Sequence, residues 1–339
     1  MQLLQLMQGA QLSMGVEIGL CNFNDIDDLI SFINTDWKKN HIFVKDRKLF
    51  EWQHKCKNHY NFVLAKEKGT IIGILGFIPT SQYSNSLISN NEIWLAIWKV
   101  KEEAKRPGLG LMMLKFIINF FKNPTICSLG LSPQVISIYK VLKYNVGILS
   151  HNAFFNQKNK NYKIGKPDGS HVITLSPNKF KYKISNTVDQ ISETFFTNHP
   201  KKNVEYLIKR YAEHPKYNYS FLSFYDLNNL LSISICREIN VRGKKISRIV
   251  DSFGENIMEP KFNHVISNFV ERHEYEYIDL VSNLKRPQGS GFVSSSDTTI
   301  IPNYFEPFEK KNIDIYYAYK SENKLLIFRG DSDQDRPNL

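Results

Sequence analysis

Residues Lys105–Leu114 read KRPGLGLMML, a charged, glycine-rich turn that runs directly into large apolar side chains. Glycine lets the backbone adopt positive φ and approach a ligand closely, and the first N–H groups of a helix have no acceptor within that helix. Gly108 and Gly110 supply such a turn, while Lys105 and Arg106 add positive charge. By itself the pattern is weak, because a plain loop before a core helix fits it equally well.

Two phosphate-binding motifs are excluded at this turn. The dinucleotide motif GxGxxG would need a third glycine where Met113 stands, and the P-loop would need GK followed by Ser or Thr. Any phosphate site here therefore belongs to another class of protein.

The segments around the turn predict an α/β chain whose two halves repeat the same order of elements. In the first half, an apolar strand (EIWLAIWKV) precedes the turn, and a helix, a strand (TICSLGL) and a helix with a central tyrosine follow it. Asn24 is predicted to cap an earlier helix. The second half repeats helix–helix–strand–strand–strand–helix–strand, with residues 187–196 as its first helix. Its connection after the third strand is GENIMEP, which has one glycine and two acidic residues, so we expect only the first copy to hold a phosphate group.

Length and composition are those of a soluble, two-domain protein without a membrane span, which predicts a cytoplasmic location. The chain has 339 residues, 42% hydrophobic and 23% charged. Its four cysteines show no CxxC spacing, which argues against a zinc site. The formal net charge of +11 suits an anionic partner. No run of five like charges occurs, so phosphorylated small molecules fit the charge and no nucleic-acid partner is predicted.

The turn and its flanking elements together resemble the acyl-CoA-binding motif of the GNAT superfamily of N-acyltransferases, written Gln/Arg-x-x-Gly-x-Gly/Ala. The resemblance implies two tandem GNAT-like domains, each a twisted mixed sheet flanked by helices, with acyl-CoA as co-substrate. It further implies that the loop binds the CoA pyrophosphate and that the preceding strand provides backbone donors. Lys105 stands where Gln or Arg is usual, and Pro107 lacks an N–H. The residues so assigned to CoA are Ala96, Ile97, Trp98, Lys105, Arg106, Gly108, Leu109, Gly110 and Leu111.

The segment LGLSPQVISIYKVLKYN resembles the second part of the same motif, a strand and helix ending in Tyr followed by Leu-Gly-Phe. Tyr139 falls on the tyrosine position, which implies a general acid for the departing thiolate. Helical spacing also places Tyr139 on one face with Val135, Ile138 and Leu142, so a packed core tyrosine is the alternative.

Two copies with one CoA loop resemble a narrower group, the bacterial N-acyltransferases that act on nucleotide-linked amino sugars for surface polysaccharides such as O-antigen or capsule. The resemblance favours a dTDP-linked amino-dideoxyhexose as acceptor. A shift of composition towards Asn, Lys, Gly and Pro predicts a linker over residues 158–172. With the resemblance, it gives an acyl-CoA-binding domain over residues 1–157 and an acceptor-binding domain over 173–339. Two alternatives remain, an aminoacyl-tRNA-dependent transferase of the peptidoglycan-bridge type and a non-catalytic nucleotide-binding module.

The reaction needs a group that takes the proton of the attacking amine. The candidate bases are His54, Glu92, Asp251 and Glu255, although water could also serve. His54 could equally be a structural histidine, and Asp251 could equally cap a turn near Gly254. Glu92, Asp251, Glu255 and Asn283 are the predicted acceptor-binding residues.

Two further segments carry chemistry-bearing residues. The loop Leu284–Asp297 is rich in hydroxyls and glycine, which suits either a sugar diphosphate or a mobile surface loop. Asp331, Asp333 and Asp335 have the alternating spacing of a calcium loop, but the glycine at its sixth position and its final Glu are missing. No metal site is predicted, and we expect this tail to dock on its own domain.

Overall fold

A computed structural model describes residues 15–104, 106–188, 191–305 and 307–337. The strands in these residues form two mixed sheets of seven strands each, flanked by helices. The prediction of an α/β fold with mixed sheets is thereby confirmed. The chain divides into two compact units, residues 1–128 with 337–339, and residues 129–336. The segment 158–172, predicted as a linker, lies within the second unit.

In the first unit, the strands lie in the sheet in the order β1-β2-β3-β4-β5. The helices lie between these strands along the chain. Strand β5 crosses the boundary between the units, and β4 and β5 run parallel while the other neighbours run antiparallel. The elements are β1 (Val16–Cys21), α1 (Ile26–Phe32), α2 (Ile42–Lys45), α3 (Arg47–His54), β2 (Tyr60–Glu67), β3 (Thr70–Pro79), β4 (Glu92–Val100), α4 (Leu109–Phe120) and β5 (Thr125–Leu131).

The first helical region corrects one prediction. The cap is Asn22 and not Asn24, because Asn22 and Asp25 form a reciprocal capping box around a short 3-10 turn that contains Asn24. The apolar face of α1 then packs Leu29 and Phe32 into the core.

The second unit has its own seven-stranded sheet in the order β13-β7-β12-β11-β10-β9-β8, and only β11 and β12 are parallel. Strands β6 and β14 pair antiparallel with each other and are the remaining two strands of the other seven-stranded sheet. The elements are α5 (Pro133–Val141), β6 (Asn145–Ile148), β7 (Ser150–Phe155), β8 (Phe180–Ser185), α6 (Val204–Leu207), β9 (Tyr219–Asp226), β10 (Asn229–Val241), β11 (Lys244–Gly254), α7 (Asn263–Arg272), β12 (Tyr277–Ser282), β13 (Val293–Ser294) and β14 (Tyr316–Lys320).

The repeated order of elements is observed, with one exception. The predicted helix over residues 187–196 is wrong for its described part, where only a 3-10 turn, Glu193–Phe195, is present. Two adjacent phenylalanines, Phe195 and Phe196, lie in and beside this turn, and Phe196 is buried against Phe253 with ring centroids 5.2 Å apart. These apolar residues are therefore part of a compact turn and do not form one face of a helix.

Candidate functional site

The same backbone irregularity occurs in both units. In β4, Leu75 of β3 pairs with Trp98 and Phe77 pairs with Leu95, so Ala96 and Ile97 together oppose the single residue Gly76. This is a β-bulge, which bends a strand and re-aims its backbone groups. In β11 the extra residue is Val250, which lies between the pairs that Ile249 and Asp251 make with β10.

In each unit the parallel ladder ends at the residue before the bulge. The β4–β5 ladder ends at Leu95, and the β11–β12 ladder ends at Ile249. Beyond the bulge, Trp98, Lys99 and Val100 pair with β3, and among the described residues the parallel ladder with β5 does not continue past Leu95. Backbone groups on the open side of the β4 bulge are thus placed where a carbonyl oxygen could accept from them.

The glycine-rich turn leads into α4 as the sequence predicts. Gly108 has φ +84°, and a Cβ built on it would meet no atom within 4 Å, so the turn faces open space. A Cβ on Gly110 would lie 3.0 Å from the indole Nε1 of Trp98, so the glycine allows close packing of helix on strand. The Leu109 amide already donates to the Arg106 carbonyl (3.1 Å), which leaves Gly110 and Leu111 as first-turn donors by position.

The positive charge available at the glycine turn is smaller than the sequence suggests. Arg106 forms an ion pair with Glu67 at the end of β2, so part of its charge is neutralised within the first unit. Lys105 lies outside the described residues. Within the described residues of the loop, anion binding would rest on backbone N–H groups and on the α4 N-terminus.

Tyr139 lies in α5 of the second unit with 2% of its surface exposed, and its ring packs edge-on against Tyr144 at 5.1 Å. Ile138, predicted on the same face, is 40% exposed, so the buried face of α5 is narrower than the spacing predicts. These contacts fit the core-tyrosine alternative and leave the proposed acid role to experiment.

The candidate bases of the first unit are both buried. His54 has no exposed surface, and its ring packs against Phe43, Phe50 and Phe62 at 4.7–5.5 Å between centroids. Gln53 contacts its Nε2 at 3.0 Å. These contacts are those of a structural core histidine. Glu92, at the start of β4, is 2% exposed.

Two predicted acceptor residues of the second unit have structural partners. The Asn283 side chain donates to the Leu325 carbonyl (2.8 Å) and accepts from the Ile327 amide (2.8 Å), so both ends of its amide hold the segment after β14. Glu255 is exposed and forms an ion pair with Lys261. None of these hydrogen bonds and ion pairs of Asn283 and Glu255 involves Asp251.

Asp251 follows the β11 bulge, has no exposed surface and belongs to a buried charge network. Its carboxylate accepts from Lys202 (2.7 Å) and Tyr211 (2.8 Å), while Lys202 also contacts Asp331 at 2.8 Å. Burial raises the pKa of Asp251, since it outweighs the opposing effect of Lys202. Burial alone would lower the pKa of Lys202, but the two carboxylates raise it. A turn-capping role for Asp251 does not account for these contacts with Lys202 and Tyr211.

The acid-rich tail docks on the second unit, as the sequence predicts. Asp335 accepts two hydrogen bonds from Arg237 (2.8 and 3.2 Å) and one from Tyr219 (2.7 Å). Burial would raise the pKa of Asp335, but Arg237 and Arg329 hold it well below its usual value. Within the described residues, no group of three His, Cys, Asp or Glu side chains is placed to hold a metal ion.

Residues 325–331, here called the closing segment, occupy the gap beyond the β11–β12 ladder. The Gly330 amide donates to the Val250 carbonyl of β11 (2.7 Å), and the Arg329 amide donates to the Val281 carbonyl of β12 (3.0 Å). The position that corresponds to the open side of β4 is therefore filled by the chain itself in the second unit. The second copy thus lacks both the glycine pair of the first copy and the open side of its β4 strand.

A small pocket of about 20 Å³, room for about one water molecule, lies beside the closing segment, wholly within the second unit. Its lining includes the polar residues Lys202, Asp251 and Ser252 and four aromatic residues, Phe195, Phe196, Phe253 and Phe328. Of these residues, only Asp251 is among the candidates found in the sequence. Lys202 is 49 positions away from its partner, and no local pattern signals such a contact.

The second unit contains a second buried charge network, which the sequence does not predict. Asp279 on β12 accepts from the Arg248 guanidinium on β11 (2.6 Å) and contacts the His151 Nε2 on β7 at 2.9 Å. Burial would raise the pKa of Asp279, but Arg248 and His151 lower it to about 2. Arg248 also donates to the carbonyls of Pro302 and Asn303, so the network ties three strands to the loop before β14.

The loop Leu284–Asp297 is held by hydrogen bonds along its length. Asn256 donates to the Lys285 carbonyl (3.2 Å), and Asn263 both donates to the Gly289 carbonyl (3.0 Å) and accepts from the Gly291 amide (2.8 Å). Val293 and Ser294 then pair with β7. The segment is thus an ordered part of the second unit.

Comparison with known proteins identifies the fold. The chain is similar to a GCN5-related N-acetyltransferase from Anabaena variabilis at 12% identity, with a TM-score of 0.55 and coverage of 90% of this chain and 72% of the other. It is also similar to a conserved protein of unknown function from Enterococcus faecalis (7% identity, TM-score 0.53, coverage 90% and 71%). A Pyrococcus horikoshii protein described as an acetyltransferase matches at 12% identity and TM-score 0.50, over 94% of both chains.

The fold of this chain is therefore the GNAT fold, and at these identities the likeness establishes the fold alone. No protein-family model matches the sequence, and none of the curated proteins matches it. None of the described helices is long and apolar enough to span a membrane.

Proposed function

We propose that the chain is an acyl-CoA-dependent N-acyltransferase and that the first unit binds the acyl donor. One observation carries the proposal. The β4 bulge at Ala96 and Ile97, the end of the ladder at Leu95, and the glycine turn at the start of α4 occur together in one unit. In the second unit, the corresponding gap is filled by the closing segment.

The backbone of the glycine turn suits a diphosphate. Positive φ at Gly108 and open space around it allow phosphate oxygens to approach the backbone, and Gly110 and Leu111 offer first-turn N–H groups. A side chain at Gly110 would meet Trp98 and displace the helix start. Lys105, next to the turn in sequence, is proposed to add charge.

The chemistry of the chain's own residues follows from this placement. Acyl-CoA, when bound, supplies an activated acyl group as a thioester. N–H groups between Ala96 and Trp98 would donate to the carbonyl oxygen on which negative charge develops. The attacking amine forms the new C–N bond as the C–S bond breaks, and the amine gives up a proton to a base. Tyr139 is proposed to protonate the departing thiolate, and Asp251 or water to accept the proton.

For the acceptor, we propose a nucleotide-linked amino sugar, and specifically a dTDP-linked amino-dideoxyhexose of surface-polysaccharide synthesis. The resemblance of the sequence to enzymes of that group and the net charge of +11, which suits a diphosphate, support it. We also propose that residues 1–157 bind the donor, residues 158–172 connect, and residues 173–339 bind the acceptor. The location is proposed to be cytoplasmic.

The test follows free thiol as the protein is incubated with acetyl-CoA, or other short acyl-CoAs, and a panel of dTDP- and UDP-linked amino sugars. The expected result is thiol release that needs both substrates. Absence of release across the panel, with no rise in thermal stability on adding CoA, would exclude the proposal. Salt-sensitive tRNA binding without CoA binding would instead indicate an aminoacyl-tRNA-dependent transferase.

A matched pair of variants tests the glycine turn. Gly108 and Gly69 have similar positive φ (+84° and +79°), and a Cβ on either meets no atom within 4 Å. Valine at either position is strained, because a β-branched residue is disfavoured at positive φ. We expect Gly108→Val to weaken CoA binding at least about ten-fold, since it blocks the approach to the backbone, and Gly69→Val to leave it unchanged. Equal effects would show that the turn does not contact CoA.

A further inference from the structure

Residues 37–48 form a positively charged part of the surface of the first unit, here called the basic surface. It begins at Trp37, whose side chain is 41% exposed at the end of the first helical region, and it continues through α2 into the first turn of α3. Its exposed lysines are Lys38, Lys39, Lys45 and Lys48. The stretch contains a single carboxylate, Asp46, so its formal charge is strongly positive.

Hydrogen bonds fold the basic surface into a compact piece of backbone. The Lys38 amide donates to the Ile33 carbonyl (2.9 Å), and the His41 amide donates to the Lys38 carbonyl (3.1 Å), which closes a turn. The Asn40 amide donates to the Asn34 Oδ1 (2.9 Å) and ties this turn to the preceding helical residues, against which α2 also packs. The backbone that carries the four lysines is therefore confined to a small region.

The acidic side chains in and around the basic surface are engaged with other partners. Asp36 contacts Lys101 at 3.7 Å, and Asp46 accepts a hydrogen bond from the first turn of α3 (2.9 Å). Glu51 pairs with Arg47 at 3.1 Å. Among the described residues, no carboxylate forms an ion pair with any of the four lysines, so their charge is available to a partner.

The spread of the charges and the exposed indole together specify the kind of partner. A small anion can reach one or two of the ammonium groups, whereas a layer of anionic headgroups can reach all four. Tryptophan suits such a layer, because its ring is apolar while its N–H is polar. A single exposed ring stacks only one base, and single-stranded nucleic acids are bound by several rings along one groove. The basic surface therefore fits an anionic lipid layer better than a nucleic acid.

We propose that the basic surface docks the chain on a membrane that contains anionic lipids. The Trp37 ring enters the headgroup region, and the four lysine ammonium groups contact lipid phosphates. Docking of this kind needs no helix that crosses the bilayer. The proposal goes beyond the proposed acyltransferase activity and does not depend on it, since the basic surface lies outside the glycine turn and lipid binding requires neither acyl-CoA nor an acceptor.

The experiment mixes the full chain with lipid vesicles and measures the fraction of protein that sediments with them. One set of vesicles is phosphatidylcholine alone, which has no net charge, and the other also contains phosphatidylglycerol, which is anionic. The chain is expected to bind the anionic vesicles at least about ten-fold more tightly than the neutral ones. About 1 M salt should release it, because the Debye length then falls to about 3 Å.

A matched pair of double variants tests the lysines. Lys38→Gln with Lys39→Gln is expected to weaken binding to the anionic vesicles about five-fold per lysine, since each lysine near the lipid surface adds about that factor. Lys244→Gln with Lys285→Gln removes the same charge from two exposed lysines of the second unit and should leave binding nearly unchanged.

A second matched pair tests the indole. Trp37→Ala is expected to weaken binding to the anionic vesicles about ten-fold, because the ring no longer leaves water for the headgroup region. Phe23→Ala removes another exposed aromatic ring of the first unit, one that is 43% exposed and lies beside the acidic residues Asp25, Asp27 and Asp28, so binding should be unchanged. Thermal unfolding of both variants confirms that the fold is retained.

Three results would overturn the proposal: equal binding to anionic and neutral vesicles, equal effects of the two lysine pairs, or Trp37→Ala binding like the unaltered chain. Binding of a single-stranded RNA that depends on Lys38 and Lys39, without binding to either kind of vesicle, would also overturn it and would identify nucleic acid as the partner.

Discussion

Replacing Gly330 by alanine tests whether the closing segment holds the second unit together. Gly330 is buried, and an added Cβ would lie 2.6 Å from both the Val250 carbonyl oxygen and the Tyr211 hydroxyl. Real Cβ contacts are not shorter than 3.0 Å, so the segment must move outward by about 0.4 Å or more. The oxygen of Val250 belongs to a strand paired with β10 and cannot withdraw cheaply.

The expected cost has two parts. Overpacking a close-packed site costs about 1–3 kcal/mol. The movement also weakens the 2.7 Å bond from the Gly330 amide to Val250, and an unsatisfied buried donor costs about 1–3 kcal/mol. We expect a total of about 2–6 kcal/mol, which lowers the Tm of a unit of this size by roughly 4–24 °C.

The assay is thermal and urea unfolding, with Gly243→Ala as the control. Gly243 lies in the β10–β11 turn at φ +73°, and a Cβ there meets no atom within 4 Å, so alanine adds only about 1 kcal/mol of backbone strain. A Gly330→Ala protein that unfolds within about 1 kcal/mol of the unaltered chain would refute the account of the closing segment.

Three further predictions concern buried groups. Because Arg248 and His151 hold the pKa of Asp279 at about 2, against 3.8 ordinarily, this carboxylate contributes about 2 kcal/mol above pH 4 that is lost as the pH falls towards 2. Urea unfolding between pH 6 and 2.5 should show this loss, and Asp279→Asn should abolish it. Arg237→Met should cost about 3–5 kcal/mol by leaving Asp335 poorly paired, with a smaller total loss when Asp335→Asn is added, as a double-mutant cycle would show. His54→Phe should retain acyl transfer, since His54 lies in the core; a loss of turnover with normal stability would restore its catalytic role.

Local patterns predicted the elements that carry their own signal. Strand β4, the glycine turn, α4 and β5 follow one another in the expected order. The repeat of the second half is also observed from β9 to β12. In each case an apolar run of suitable length lies between residues that favour turns, so neighbouring residues suffice to define the element.

The strands that the sequence does not predict depend on partner strands far along the chain. Strand β8, FKYKIS, alternates apolar and charged residues at the edge of a sheet, and its pairing with β9 begins 46 residues later along the chain, between Phe180 and Asp226. Strand β7 pairs with β12 and β13 across a still larger separation. Short strands of this kind gain stability only once the partner is in place, so a local pattern cannot identify them.

The same difference between local and distant partners explains which site residues the sequence can predict. Gly108 and Gly110 were found because a turn and a helix start are local features. Lys202 and Arg237 look like surface cations in the sequence, yet the buried Lys202 and the half-buried Arg237 each pair with a carboxylate contributed by a distant segment. A single sequence records which charges exist, whereas their pairing depends on the completed fold.

The closing segment also constrains the order in which the protein can be made. Its partners on β11 and β12, Val250 and Val281, are synthesised about 50 to 80 residues earlier, and Asp331 supplies one of the two carboxylates that neutralise Lys202. Until residues 325–331 have left the ribosome, the gap between the two strands is open and Lys202 has only one buried carboxylate. The second unit therefore cannot complete its fold during translation of its sheet, and its open strand edges are exposed to other chains during that interval.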